Sequence, residues 1–361
     1  MARHRIAVIP GDGIGKETVP EGVRVLDAAA RRFGLDLRFD HFDFASCDYF
    51  AEHGDMLPPD WKDRIGGHDA IFYGAVGWPA TVPDHVSVWG SLLKFRREFD
   101  QYINLRPCKL MPGIRSPLVR ADGSARAPGE IDFVVVRENT EGEYSSIGGR
   151  MFEGTEREFA IQETVMTRIG IDRVVRFAFD LARKRAKRHL TLVTKSNAQR
   201  HGMVLWDSVF QELAAAYPDV TTDRMLVDAM TTRMVLHPET IDVLVATNLH
   251  ADILSDLASA LSGSLGMGAT ANLNPERRYP SMFEPIHGSA FDIMGKGIAN
   301  PIGTFWSAVL MLEHLGESES AALLMGAIER VTAEGRCLPR DLGGRATTRE
   351  MTTAVCAALS L

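Results

Sequence analysis

Residues 5–32, RIAVIPGDGIGKETVPEGVRVLDAAARR, carry the reading on which the fold turns. Residues 5–9 are a short apolar run stopped by Pro10-Gly11, the pattern of a buried strand. From residue 15 to residue 32 apolar side chains fall at helical spacing, among them Val19, Val23 and Leu26. The turn between them, Gly11-Asp12-Gly13-Ile14-Gly15, invites a dinucleotide-binding reading. Its spacing is GxGxG, however, and not the GxGxxG that brings backbone against a pyrophosphate. A tight strand-to-helix turn accounts for it better than a conventional Rossmann site.

The same alternation continues outward. Residues 70–73, 133–136, 189–194 and 243–247 read as further buried strands. Helical patterns over 173–187, 203–216 and 251–261 lie between or beside them. Strands alternating with helices predict an α/β fold with parallel strands. The last third is mainly helical, over 301–314, 321–334 and 349–359, with Thr347 or Thr348 as N-cap of the last helix. Between Gly142 and Thr167 the chain is polar and alternates like a hairpin, and no internal repeat is visible.

The 361 residues suggest about two domains. A net charge of −7, from 40 basic and 47 acidic residues, offers no field for phosphates, so nucleic acid is not the expected partner. Cys47, Cys108, Cys337 and Cys356 are too scattered for a metal motif or a disulfide framework. No apolar run of membrane-spanning length occurs and the first ten residues lack a signal-length apolar stretch, so a cytoplasmic protein with no membrane partner is expected.

Five features bear on chemistry. Arg96, Arg106 and Arg137 stand near strand or helix ends. Guanidinium groups suit bidentate capture of carboxylates, although each arginine alone reads more readily as a structural ion pair. Asp252 and Asp256, four apart in HADILSDL, share a helix face, and Asp228 precedes another helical stretch. Like charges at that spacing repel unless a cation lies between them, and hard oxygens suit Mg²⁺ or Mn²⁺; two solvated acids are the alternative. Lys195 closes the run LTLVTK, where ligand crevices form, and is a candidate base; Tyr144 is a candidate phenolic acid. Singly, a snorkelling lysine and a core tyrosine remain the simpler readings. Finally, residues 284–301, EPIHGSAFDIMGKGIANP, form a glycine- and proline-punctuated stretch of the kind that wraps a ligand.

Taken together these stretches resemble the β-decarboxylating dehydrogenase family of isopropylmalate, isocitrate, homoisocitrate, D-malate and tartrate dehydrogenases. The matching elements are GDGIG, LLKFRREFDQYINLRP, VVVRENTEGEYS, TKSN, VDAM, ATNLHADILSDL and EPIHGSAFDIMGKGIANP, in the family's order. VPDHVSVWGSLLKFRREFDQY and KSNAQRHGM resemble the tartrate/D-malate branch most. The resemblance implies a two-domain fold with a mixed, largely parallel sheet. Residues 1–101 plus 266–361 would form one domain and 102–265 the other, with a dimer arm at about 150–167. It implies that Arg96, Arg106 and Arg137 hold the substrate carboxylates, and that Tyr144 and Lys195 are the acid–base pair. Asp228, Asp252 and Asp256 would bind Mg²⁺ or Mn²⁺, and His287, Gly288, Ser289, Ala290, Asp292 and Asn300 would bind NAD. The implied partner is a second copy of the chain, with Lys195 and Asp228 supplied across the interface; a monovalent cation such as K⁺ is a further candidate cofactor.

The implied activity is NAD-dependent oxidative decarboxylation of D-malate to pyruvate and CO₂, or oxidation of tartrate. The isopropylmalate enzymes carry an acidic residue where Trp89 aligns, and the isocitrate enzymes a serine and an asparagine near Gly90 and Leu92. Both signatures are missing here, and a tryptophan at position 89 would narrow the pocket, so a small C3 substituent is expected, hydrogen for D-malate or hydroxyl for tartrate. Isopropylmalate oxidation is the alternative within the family. A non-catalytic regulatory subunit is the alternative of another class, opposed by the presence of Tyr144, Lys195 and all three aspartates.

Overall fold

The computed structural model describes residues 3–360. Its twelve strands are β1 Arg3–Gly11, β2 Asp36–His41, β3 Ala70–Ala75, β4 Ile103–Lys109, β5 Asp132–Glu138, β6 Gly142–Met151, β7 Phe159–Val165, β8 His189–Thr194, β9 Thr221–Leu226, β10 Val243–Ala246, β11 Ala269–Leu273 and β12 Ser281–Pro285. Ten form one sheet in the order β2-β1-β3-β12-β11-β4-β5-β10-β8-β9. The pairings at both ends of this order are parallel. Those joining β12, β11, β4 and β5 are antiparallel. Two parallel wings, running in opposite directions, therefore meet at an antiparallel centre. The strands β2, β1, β3, β12 and β11 come from the two ends of the chain, and the other five from its middle.

Side-chain alternation buries both faces of the first wing. Ile6, Val8 and Phe72 face helices Gly15–Phe33 and Ile302–Leu315, whereas Ala7, Ile9, Ile71 and Tyr73 face a second core with Trp61, Phe95 and Phe99. The expected strands all form, 189–194 without change of bounds. The helix read from residue 173 begins earlier, at Arg168, where the Thr167 hydroxyl accepts from the Gly170 amide. Of the two candidate caps for the last helix, Thr347 is the N-cap, and Glu350 completes a capping box. The stretch 142–167 is a two-stranded antiparallel hairpin, β6–β7, with Ile147, Met151, Phe159 and Ile161 exposed along it.

Strands β2, β4, β9, β11 and β12 escaped the sequence reading. The outermost, DLRFDH and TTDRML, are polar edges with neither a continuous apolar run nor clean alternation. Strand β4, INLRPCK, contains an arginine and a proline because it crosses the site described next. Among the described residues no helix is long and apolar enough to cross a membrane.

Candidate active site

Register in the antiparallel centre decides which side chains meet. Asn104 lies opposite Arg137 on one side and Asn272 on the other. Thr270 lies opposite Glu284, and Asn104 and Arg106, two apart on β4, share a face. Polar groups from four strands thus stand on one face of the sheet, where helix Asn248–Leu261 covers β5 and β4. A cavity of about 200 Å³ opens there, lined among others by Val88, Leu92, Leu93, Arg96, Arg106, Arg137, Tyr144, Asp252, Glu284 and Gly288.

Asp252 is the hub. Its Oδ1 accepts from Arg106 Nη1 at 3.0 Å and from Arg137 Nη1, and its Oδ2 accepts from the Tyr144 hydroxyl at 3.0 Å. Burial alone would push its carboxyl up, but Arg137, Arg106 and Arg96 outweigh burial and hold it at about 2. Asp256 lies one turn on, its Oδ1 3.7 Å from Arg106 Nη1. Burial raises its pKa, and the Asp252 charge adds to the rise against the pull of Arg106. Arg137 is fully buried and also gives two hydrogen bonds to Asn248 Oδ1, at 2.9 and 2.6 Å. Arg96, from helix Leu92–Glu98, donates to Glu284 Oε1 at 3.1 Å, while its buried Nε has no partner. The Tyr144 phenol is raised by burial and then by Asp252, so it stays protonated through neutral pH.

The structure therefore gathers Arg96, Arg106, Arg137, Tyr144, Asp252 and Asp256 at one place. Lys195 and Asp228 stand elsewhere. Lys195 Nζ donates to Asp228 Oδ1 at 2.5 Å, and that hydrogen bond lowers the Asp228 pKa. Among the described residues no hydrogen bond or ion pair joins this couple to the arginine cluster, and no group of three or more His, Cys, Asp or Glu side chains is placed to hold a metal within one chain. The donor chemistry nevertheless fits a hard divalent ion: Asp256 and Asp228 carry half or more of their side-chain surface exposed, and Asp252 about a third.

The stretch 284–301 reaches the same cavity and is no plain surface connection. The Ser289 carbonyl accepts from the Ile14 amide at 2.8 Å, and a Cβ on Gly13 would lie 1.9 Å from that carbonyl oxygen. The Gly11–Gly15 turn is thus the seat of the loop. His287 Nδ1 pairs with the Gly288 carbonyl at 2.8 Å; His287 Nε2 and Ser289 Oγ are buried without partners. Two orphaned polar atoms beside left-handed Gly288 and Ala290 are what a loop built to close on a polar cofactor leaves open. The Asp292 side chain is exposed. Asn300 is engaged already: its Nδ2 donates to Asp341 and its Oδ1 accepts from the Ile302 amide.

Trp89 does not line the cavity. Its ring lies under the Arg97 guanidinium, 5.0 Å from centroid to Cζ, and Val88, Leu92 and Leu93 form the apolar wall instead. Sequence reasoning also missed Asn104, Asn248, Ser255, Asn272 and Glu284. Alternation from Arg106 points to Asn104, and helical spacing from Asp252 points to Ser255. Nothing in the sequence alone places Asn272, which sits on a strand that was not recognised.

The family model described as isocitrate/isopropylmalate dehydrogenase matches residues 5–355. The chain is 56% identical over 361 residues to a probable tartrate dehydrogenase/decarboxylase of Agrobacterium vitis, covering 100% of this chain and 99% of that one. It is 53% identical to the D-malate dehydrogenase [decarboxylating] of Escherichia coli strain K12, covering 99% and 98%. It is 54% identical to a tartrate dehydrogenase/decarboxylase of Pseudomonas putida, covering 97% and 96%. The crystal structure of isocitrate dehydrogenase from Methylococcus capsulatus superposes with a TM-score of 0.88 at 34% identity, over 99% of this chain and 100% of that one. With its mixed sheet, its arginine–aspartate cluster and this extent of similarity, the chain belongs to the isocitrate/isopropylmalate dehydrogenase family.

Proposed function

We propose that this chain is an NAD-dependent dehydrogenase of small 2-hydroxy dicarboxylates, taking D-malate to pyruvate and CO₂ and oxidising tartrate, as a homodimer whose sites draw residues from both subunits. The observation that carries the reading is the convergence of Arg96, Arg106 and Arg137 on one small cavity beside Tyr144 and Asp252. Three guanidinium groups around so small a space suit a ligand with two carboxylates. The names of the relatives support oxidative decarboxylation and the choice of D-malate or tartrate.

Asp252 and Asp256 of one subunit, with Asp228 of the other, would hold Mg²⁺ or Mn²⁺, and the loop His287 to Ala290 with Asp292 and Asn300 would hold NAD. When bound, the metal ion would withdraw charge from the substrate oxygens and NAD would supply the hydride acceptor. The chain's own groups do the rest. The arginines fix the two carboxylates and aim C2. Lys195 takes the proton of the C2 hydroxyl as the hydride leaves C2. Loss of the β-carboxylate as CO₂ leaves its bonding electrons on the 2-keto acid as an enolate, to whose oxygen Lys195 returns its proton to give the enol. Tyr144 then delivers a proton to C3 as Lys195 takes back the one on oxygen, leaving pyruvate, and the Tyr144 phenolate regains a proton from solvent. The exposed Asp292 carboxylate suits ribose hydroxyls and repels a 2′-phosphate, so NAD is preferred to NADP.

The apolar wall of Val88, Leu92 and Leu93 supports a second reading, in which an alkyl substituent such as that of isopropylmalate is accepted. NADH formation measured against D-malate, tartrate, isopropylmalate and isocitrate, with and without Mg²⁺, Mn²⁺ and K⁺, separates the two. Turnover of D-malate and tartrate that a chelator abolishes and Mg²⁺ or Mn²⁺ restores is expected. Turnover of isopropylmalate alone, or full activity in the chelator, would overturn the first reading.

A further inference from the structure

A continuous chain of buried hydrogen bonds crosses the antiparallel centre between two of the cavity's arginines. Arg96 Nη2 donates to Glu284 Oε1 at 3.1 Å. The same oxygen accepts from Asn272 Nδ2 at 2.8 Å. Asn272 Oδ1 accepts from Asn104 Nδ2 at 2.7 Å, and Asn104 Oδ1 accepts from Arg106 Nε at 2.8 Å. Asn104 and Asn272 are wholly buried, and Glu284 nearly so. The two asparagines face each other where β11 pairs with β4, the seam between strands from the chain's end and strands from its middle.

We infer that Asn272, acting with Asn104, is a positioning residue that fixes the Arg96 guanidinium relative to that of Arg106, and so sets the spacing at which the site grips two carboxylates. The inference rests on the dicarboxylate reading of the site. Its logic lies in the separate donor and acceptor atoms of an amide. Asn272 must donate to a carboxylate and accept from an amide at once. An aspartate there would face Glu284 charge to charge, and an alanine would leave Asn104 Nδ2 buried without a partner and Glu284 Oε1 with Arg96 alone. Arg96 stands on a helix of the first wing and Arg106 on β4, with no direct hydrogen bond or ion pair between their side chains' partners other than this chain among the described residues. Asn139 provides the contrast. Its Nδ2 also donates to Asn272 Oδ1, at 3.0 Å, and to the Gln101 carbonyl, but it lies to one side of the line between the arginines.

The test uses the full-length enzyme and four variants: Asn272→Ala, Asn104→Ala, the double variant, and Asn139→Ala. Asn272→Ala and Asn104→Ala should each raise KM for D-malate about tenfold while KM for NAD stays within about twofold. The double variant should do no worse than the more damaged single variant, because both break one chain. Asn139→Ala should lower Tm and leave both KM values in place. If Asn272→Ala does not fold, Asn272→Ser, which keeps a small polar group, is read in the same way, with thermal stability and KM measured together. Variants that lose Tm but keep KM for D-malate would show a merely structural role and overturn the inference. So would KM effects that multiply in the double variant. A wild-type enzyme that neither turns over nor binds D-malate would overturn the reading of the site first, and the positioning role with it.

Discussion

Asp252 pairs with two guanidinium groups through one carboxylate oxygen and accepts a hydrogen bond from a phenol with the other. Removing it leaves Arg106 and Arg137 buried without that counter-charge. Asp252→Ala should therefore cost on the order of 3 kcal/mol of stability, beyond any effect on turnover. A urea midpoint unchanged from wild type would show that the cluster tolerates its own repulsion. A second residue makes a prediction about pH. His314 is largely buried beside Phe283, and burial, aided by Arg277, holds its pKa down at about 4. An unfolded histidine binds its proton near pH 6.5. Above that pH the ring is neutral in both states and has no effect. As pH falls from about 6.5 to about 4, the unfolded chain takes up the proton first, and the native state loses about 3 kcal/mol relative to it. His314→Phe should flatten that part of the stability profile, read by denaturant unfolding at several pH values; an acid limb of unchanged slope would locate the loss in other groups.

At the scale of elements, the Gly11–Gly15 turn and the loop after β12 form one unit. Gly13 has φ of +54°, and any Cβ there meets the Ser289 carbonyl. Gly13→Ala should displace the loop, raising KM for NAD roughly fivefold or more and leaving KM for D-malate near its wild-type value. A shift in neither constant, with a folded protein, would detach the turn from cofactor binding. This is also where the sequence was most and least legible. GDGIG could be read as a turn and not as a pyrophosphate cradle because the glycine spacing was wrong for one. What the turn holds was invisible, since its partner Ser289 lies far along the chain. The long amphipathic helices and wholly apolar strands were legible because burial imposes a period on them. Strands β4, β11 and β12 were not, because they carry Asn104, Arg106, Asn272 and Glu284 in the middle of a sheet. Polar groups placed for chemistry erase the pattern by which a strand is recognised. The candidate residues on β5 and on helix Asn248–Leu261 survived this because Arg137 ends an apolar run that stayed legible and Asp252 and Asp256 stand four apart on one helix face.

At the scale of the molecule, the proposed site is incomplete in one chain: Lys195 and Asp228 pair with each other, apart from the arginines. If a second copy supplies them, two crippled enzymes should repair each other. Lys195→Ala and Asp256→Ala each place a lesion in both sites of a homodimer. In a mixed dimer one site collects both lesions and the other none. Co-refolding should restore up to about half of wild-type activity per mixed dimer if the sites act independently. Mixed dimers seen by mass spectrometry without recovered activity would place each whole site within one chain. Asp256 is the better partner for this experiment than Asp252, since it is more exposed and binds a single arginine.

The order of strands in the sheet has a consequence for the newborn protein. β4, β5, β8, β9 and β10 come from one uninterrupted stretch and can associate as soon as it has emerged from the ribosome. β1, β2 and β3 are made first, yet the neighbour that covers the open side of β3 is β12, which follows roughly 200 residues later. At ordinary rates of translation that is a wait of about 10 to 40 s. Throughout it the strand AIFYGA, buried along its whole length in the finished protein, presents an unpaired apolar edge. The earliest part of the chain is thus the last to be protected, and the interval is a window for chaperone capture or for premature association between nascent chains.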